Sequence, residues 1–197
     1  MVRRLFTGGS VGNEQLTAAV ASALLVLLAV EGATLFNLRS LLTVHAFVGM
    51  LLIPVVALKL ASTGWRMVRY YRHGEEYVRR GPPHVALRVL ISPVIVLSTL
   101  MLFGTGVALL ALGERHGPIG LLHKASFIVW VAATSIHVLA HLFDLRRALS
   151  RRVPGAAARA AVVFASIAAG VAVAVLTLPA ADHLQDAVTG HIGLDTR

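Results

Sequence analysis

The sequence predicts an all-α integral membrane protein: a four-helix transmembrane bundle built from two repeated helical hairpins, followed by a fifth transmembrane helix. Three observations carry this prediction. Hydrophobic residues make up 57% of the 197 and charged residues only 14%, where an ordinary soluble domain has roughly a quarter charged. Apolar runs of the length that crosses a bilayer, about 20 residues in a helix, occur five times. Laying the second half of the chain on the first reveals a repeat at an offset of 78 residues.

The runs lie near residues 16–36, 41–63, 89–113, 120–143 and 160–181. Strand alternation is absent from them, and a helix satisfies its own backbone groups, so each is read as a helix. The first run is too long for a signal-peptide core. No small-residue cleavage site ends it, because Glu31, Gly32 and Ala33 continue into Thr34, Leu35 and Phe36, so it is expected to be a retained span.

Between the runs the arginines fall on one side. Arg3 and Arg4 precede the first span; Arg66, Arg69, Arg72, Arg79, Arg80 and Arg88 join the second to the third; Arg146, Arg147, Arg151, Arg152 and Arg159 join the fourth to the fifth. Together these are thirteen of the 18 basic residues. The other side carries Arg39, Arg115, Lys124 and Arg197, with Asp182, Asp186 and Asp195 in the tail. Short loops rich in lysine and arginine stay in the cytoplasm, so the N-terminus is expected inside and the C-terminus outside. Four segments result: a cytoplasmic N-terminus (1–15), the duplicated bundle (16–147), a basic loop with the fifth helix (148–181) and an external acidic tail (182–197).

Topology thus accounts for the net charge of +9, aided by anionic lipid headgroups. It removes the warrant for nucleic-acid binding: Tyr70, Tyr71 and Tyr77 alternate with arginines, but at a membrane surface where aromatic belts are routine. The chain has no cysteine, which excludes disulfides, thiolate metal sites and cysteine nucleophiles. It also has no P-loop or glycine-rich dinucleotide turn. Chemistry is left to the nine histidines and Lys59, with Glu31 read either as an interfacial residue or as a proton relay near the outer site. His73, His84, His116, His183 and His191 fall in loops or the tail and are read as solvated.

The repeat matches Leu42-Thr43-Val44-His45 to Gly120-Leu121-Leu122-His123 and places Lys59 on His137 and Arg66 on Asp144. Upstream, Glu31-Gly32-Ala33-Thr34-Leu35 is similar to Gly104-Thr105-Gly106-Val107-Ala108. Within each hairpin the marked residues of the second helix stand 14 apart, which leaves about 40° of rotation and about 21 Å of axial separation. Each pair therefore shares one face at two depths. His45 and His123 lie near the outer surface, and Lys59 and His137 near the inner one. Two stacked haems require that arrangement, since each iron takes one axial donor from each of two facing helices. Gly49, Gly104 and Gly106 would let a flat macrocycle approach the backbone, or else let helices pack closely. Arg39, Arg115 and Lys124 lie where propionates would need cations, or serve as interface anchors.

On these residues, with the His45-x3-Gly49 pattern and the glycine-rich ends of spans one and three, the chain resembles the bacterial membrane cytochromes b, the di-haem quinone-coupled subunits of formate dehydrogenase and nickel-iron hydrogenase. The resemblance covers the first four spans. It implies a four-helix haem-binding transmembrane bundle in the bacterial inner membrane, carrying haem b and moving electrons between a quinone pool and a partner oxidoreductase subunit. A homo-oligomer is compatible with it. His45, His123 and His137 take three of the four axial positions it implies. Lys59 stands at the fourth, either as a neutral amine donor or as a cation reaching the interface, and His141 offers a substitute ligand.

Two other readings compete. A metal-ion (zinc) binding or transport protein would use His137, His141 and Asp144, which share a helical face with zinc-ligand spacing, but Val138 follows His137 where a hydrolase would carry glutamate, and a transporter would embed several acidic groups where the spans hold only Glu31. A structural subunit without cofactor explains the topology and leaves the repeated spacing unexplained.

Overall fold

An apolar backbone with no water to bond must bond itself, and this chain does so helix by helix. The structure, a computed structural model, describes residues 9–73, 75–78, 87–113 and 117–190; among them there is no strand. Arg3, Arg4, Arg79, Arg80, His84, Arg115, His116, His191, Asp195 and Arg197 lie outside the described residues, as do the side chains of Tyr77 and Arg88.

Five helices dominate: α1 (Gly9–Thr34, continued by a 3-10 turn at Leu35–Asn37), α2 (Leu42–Tyr71), α3 (Ser92–Leu112, entered through a π-helical turn at Leu87–Ile91), α4 (Pro118–Ser150) and α5 (Ala156–Gly190). Each is long and apolar enough to cross a membrane. Pro118 sits in the first turn of α4, where its missing N–H is no loss. Gly113 ends α3 in the left-handed conformation, φ 65°, which other residues adopt at a penalty. Pro54 and Pro179 lie inside α2 and α5, and each removes one backbone bond.

Helix α1 packs on α2 and α4, and α3 packs on α4 and more lightly on α2. The four form a bundle in which α2 and α4 stand diagonally opposite. Helix α5 lies along α2 and touches α1 and α3. The buried apolar core joins Leu16, Val20 and Leu24 of α1 to Val48, Leu52 and Val55 of α2 and Val163 of α5. No residue of α4 belongs to that cluster. Large side chains instead cover the outside, with Phe36 94%, Phe143 81% and Leu176 80% exposed. Water would not tolerate that surface; lipid is its natural solvent.

The helices overrun the apolar stretches at several ends, because polar residues there find tertiary partners. Residues 9–15, expected as a cytoplasmic segment, belong to α1: Asn13 Nδ2 donates to the Ser62 carbonyl at 3.1 Å, Gln15 Nε2 to the Arg151 carbonyl at 2.9 Å, and Glu14 pairs with Arg151 at 3.3 Å. Arg159, expected in a loop, lies in α5 and is 3% exposed, bonding Gln15 Oε1 and the Val153 and Pro154 carbonyls. At the other end of α5, residues expected in the tail continue the helix. Gln185 Oε1 accepts from the Leu42 N–H, Gln185 Nε2 donates to the Arg39 carbonyl, and Thr43 donates to Asp182.

Where α5 crosses α2, Gly170 faces the Leu51 carbonyl so closely that a Cβ there would collide with it. Glycine is therefore a requirement of the crossing, as at other close helix contacts in membranes.

Candidate functional site

Residue 45 opens α2 and residue 123 opens α4, so the diagonal helices carry one histidine each at corresponding places in their hairpins. His45 Nδ1 lies 3.0 Å from Glu31 Oε1 and 2.9 Å from Thr34 Oγ1, both on α1. The Thr34 hydroxyl spends its proton on the Glu31 carbonyl at 2.6 Å. Both neighbours of Nδ1 are then acceptors, so Nδ1 carries the proton and Nε2 the lone pair. His123 repeats this logic with other partners. Its Nδ1 lies 3.1 Å from the Leu102 carbonyl and 3.1 Å from Thr105 Oγ1, whose own proton goes to the Met101 carbonyl at 2.6 Å. The two imidazoles are within electrostatic range of each other.

Each hairpin thus holds its histidine by a threonine from the preceding helix. Sequence reasoning missed Thr34 and Thr105 as partners, although both lie in the glycine-bearing segments that the repeat matched. Glu31 also gains a definite place, as the carboxylate on His45.

The glycines divide. A Cβ at Gly106 would stand 3.2 Å from His123 Cε1, so its absence seats the imidazole. A Cβ at Gly49 would meet Glu31 Oε1 at 3.6 Å; Gly49, expected to make room for a macrocycle, borders the carboxylate. Gly104 has nothing within 4 Å of the corresponding position. Arg39 and Lys124 are exposed at this end of the bundle.

At the other end, Lys59 Nζ donates to the Thr17 carbonyl at 3.1 Å, so its head turns into the α1–α2 contact and does not snorkel. The contact is a polar patch in which the Thr17 and Ser62 hydroxyls lie 3.2 Å apart and Ser62 donates to the Lys59 carbonyl at 3.0 Å. His137 is within electrostatic range of Lys59, and its Nδ1 is buried without a hydrogen-bond partner. His141 lies beside it, ring centroids 4.8 Å apart, and pairs through Nδ1 with Asp144 at 3.2 Å. His137, His141 and Asp144 do not converge: among the described residues no group of three or more histidines and carboxylates is arranged to hold a metal ion.

The donor chemistry at the His45 end suits a haem iron, since two imidazoles on opposite helices each have Nδ1 anchored by acceptors, leaving Nε2 as the nitrogen that could bind a metal. The Lys59 end fits less completely. His137 has a free nitrogen there, but the Lys59 amine is engaged by a carbonyl. Comparison with protein-family models, with curated proteins and with solved structures finds no match for this chain.

Proposed function

We propose that the protein is a b-type cytochrome subunit of the bacterial inner membrane, passing electrons through bound haem between a quinone pool and a partner oxidoreductase. The observation that carries this reading is the pair His45 and His123, on diagonal helices, each held in the tautomer that offers Nε2. Haem, when bound, supplies reversible one-electron chemistry at its iron. This chain's residues do the rest. His45 and His123 would hold the haem iron through their ring nitrogens, Gly106 seats one ring, and Arg39 and Lys124 would offer cations to the haem carboxylates. His137 marks a second site at the Lys59 end, with Lys59 or His141 completing it.

A reduced-minus-oxidised absorption spectrum of the purified protein, with haem counted per chain, tests the proposal. His45→Ala and His123→Ala should each abolish the same low-spin component while the protein still inserts. Full haem content in both variants overturns the assignment, and a colourless wild type carrying stoichiometric zinc overturns the whole reading.

A further inference from the structure

The two histidines are anchored by different chemistry. Both receive a threonine oxygen, but the second acceptor on His123 is the neutral Leu102 carbonyl at 3.1 Å, whereas on His45 it is the Glu31 carboxylate at 3.0 Å. Glu31, in the last turn of α1, is 17% exposed, less than the ion-paired carboxylates Glu14 at 27% and Asp144 at 60%. Its second oxygen, Oε2, is buried without a hydrogen-bond partner. Among the described residues nothing else bonds the carboxylate, and a Cβ at Gly49 would already touch Oε1 at 3.6 Å.

A charged acceptor makes a hydrogen bond roughly twice as strong as a neutral one, and poor solvent screening strengthens it further. An imidazole whose N–H is drawn toward a carboxylate becomes a more basic ligand through its other nitrogen. We propose that Glu31 is the positioning residue of His45: its carboxylate takes the Nδ1–H, fixes the tautomer that presents Nε2, and makes His45 the more electron-rich of the two axial donors. This rests on the cytochrome reading for its redox consequence and on the apo geometry alone for the tautomer. An electron-rich donor favours the ferric state, so Glu31 sets the haem at a lower midpoint potential than a pair of carbonyl-anchored histidines would.

Two arms test it on the full chain in detergent. In the haem-loaded protein, Glu31→Gln keeps the side-chain shape and removes the charge; its midpoint potential should rise above that of wild type, with a shift in the low-spin electron paramagnetic resonance signal. Thr34→Val, which removes the neutral acceptor, should shift the potential less, and Glu14→Gln, a surface carboxylate paired with Arg151, should leave it unchanged. An unmoved potential in Glu31→Gln, or a larger shift in Thr34→Val, overturns the proposal. In the apo protein labelled with 15N in its imidazoles, His45 should be protonated at Nδ1 in wild type, with an Nδ1–H more strongly hydrogen-bonded than that of His123, and this difference should vanish in Glu31→Gln. A wild-type His45 protonated at Nε2, or an Nδ1–H signal unmoved in the variant, overturns it. If wild type takes up no haem, the cytochrome reading fails while the apo arm still decides the role of Glu31; if only Glu31→Gln takes up none, the apo arm decides likewise.

Discussion

Gly106 is where one methyl group decides a ring position. Its missing Cβ would press His123 Cε1 at 3.2 Å, so Gly106→Ala should tilt the imidazole and reduce haem per chain, whereas Gly104→Ala, facing open space, should bind like wild type; a spectroscopic haem titration of both variants checks this. Lys59 poses the other residue question. Its bond to the Thr17 carbonyl is of a kind that contributes about 0.6 kcal/mol on average in membrane proteins, and burying a lysine in a bilayer costs more than that. Lys59→Met should therefore keep the fold, with stability within about 1 kcal/mol of wild type in unfolding assays. If Lys59 completes a second haem site, Lys59→Met loses one spectral component and Lys59→His gains a bis-imidazole spectrum; identical spectra in both assign Lys59 to the helix contact alone. The histidines were legible because polar side chains stand out in apolar spans and His45 and His123 recur at the 78-residue offset. Their anchors were not, since a threonine at a helix exit bonds its own backbone as readily as a neighbour, and only the packing of α1 on α2 and of α3 on α4 brings it to an imidazole.

At the scale of elements, the five spans were readable because a bilayer demands about 20 apolar residues and sequence supplies them visibly. The helix ends were not. Asn13, Gln15, Asp182 and Gln185 look like loop residues until Ser62, Arg151, Thr43 and the first turn of α2 meet them. The place of α5 was also hidden, because lipid is as apolar as a neighbouring helix and hydropathy does not choose between them. The choice is made by Gly170. Replacing it with leucine forces the helices apart at the Leu51 carbonyl; overpacking of this kind costs about 1–3 kcal/mol. Gly170→Leu should lower the melting temperature in detergent and expose α5 to proteolysis, while Gly64→Ala, with nothing within 4 Å, should do neither.

For the whole molecule, five helices long and apolar enough to cross a membrane would, if each crosses once, leave residues 9 and 190 on opposite sides, and the arginine bias predicts which is cytoplasmic. Reporter fusions after Arg79 and after Gly190 should report opposite compartments, the first cytoplasmic; two cytoplasmic signals would contradict the topology. The capping of α2 has a consequence for how such a chain is made. The N–H groups of Leu42 and Thr43 open the helix that carries His45, and the oxygen that receives them belongs to Gln185, 143 and 142 positions later. A nascent chain therefore inserts its first four helices with that turn unfinished, and α5 closes it only after residue 185 has been translated. On the proposed cytochrome reading this couples biogenesis to cofactor loading: a ribosome-stalled chain ending before α5 should reside in the membrane yet hold its histidine pair loosely, and acquire haem only once α5 has been released.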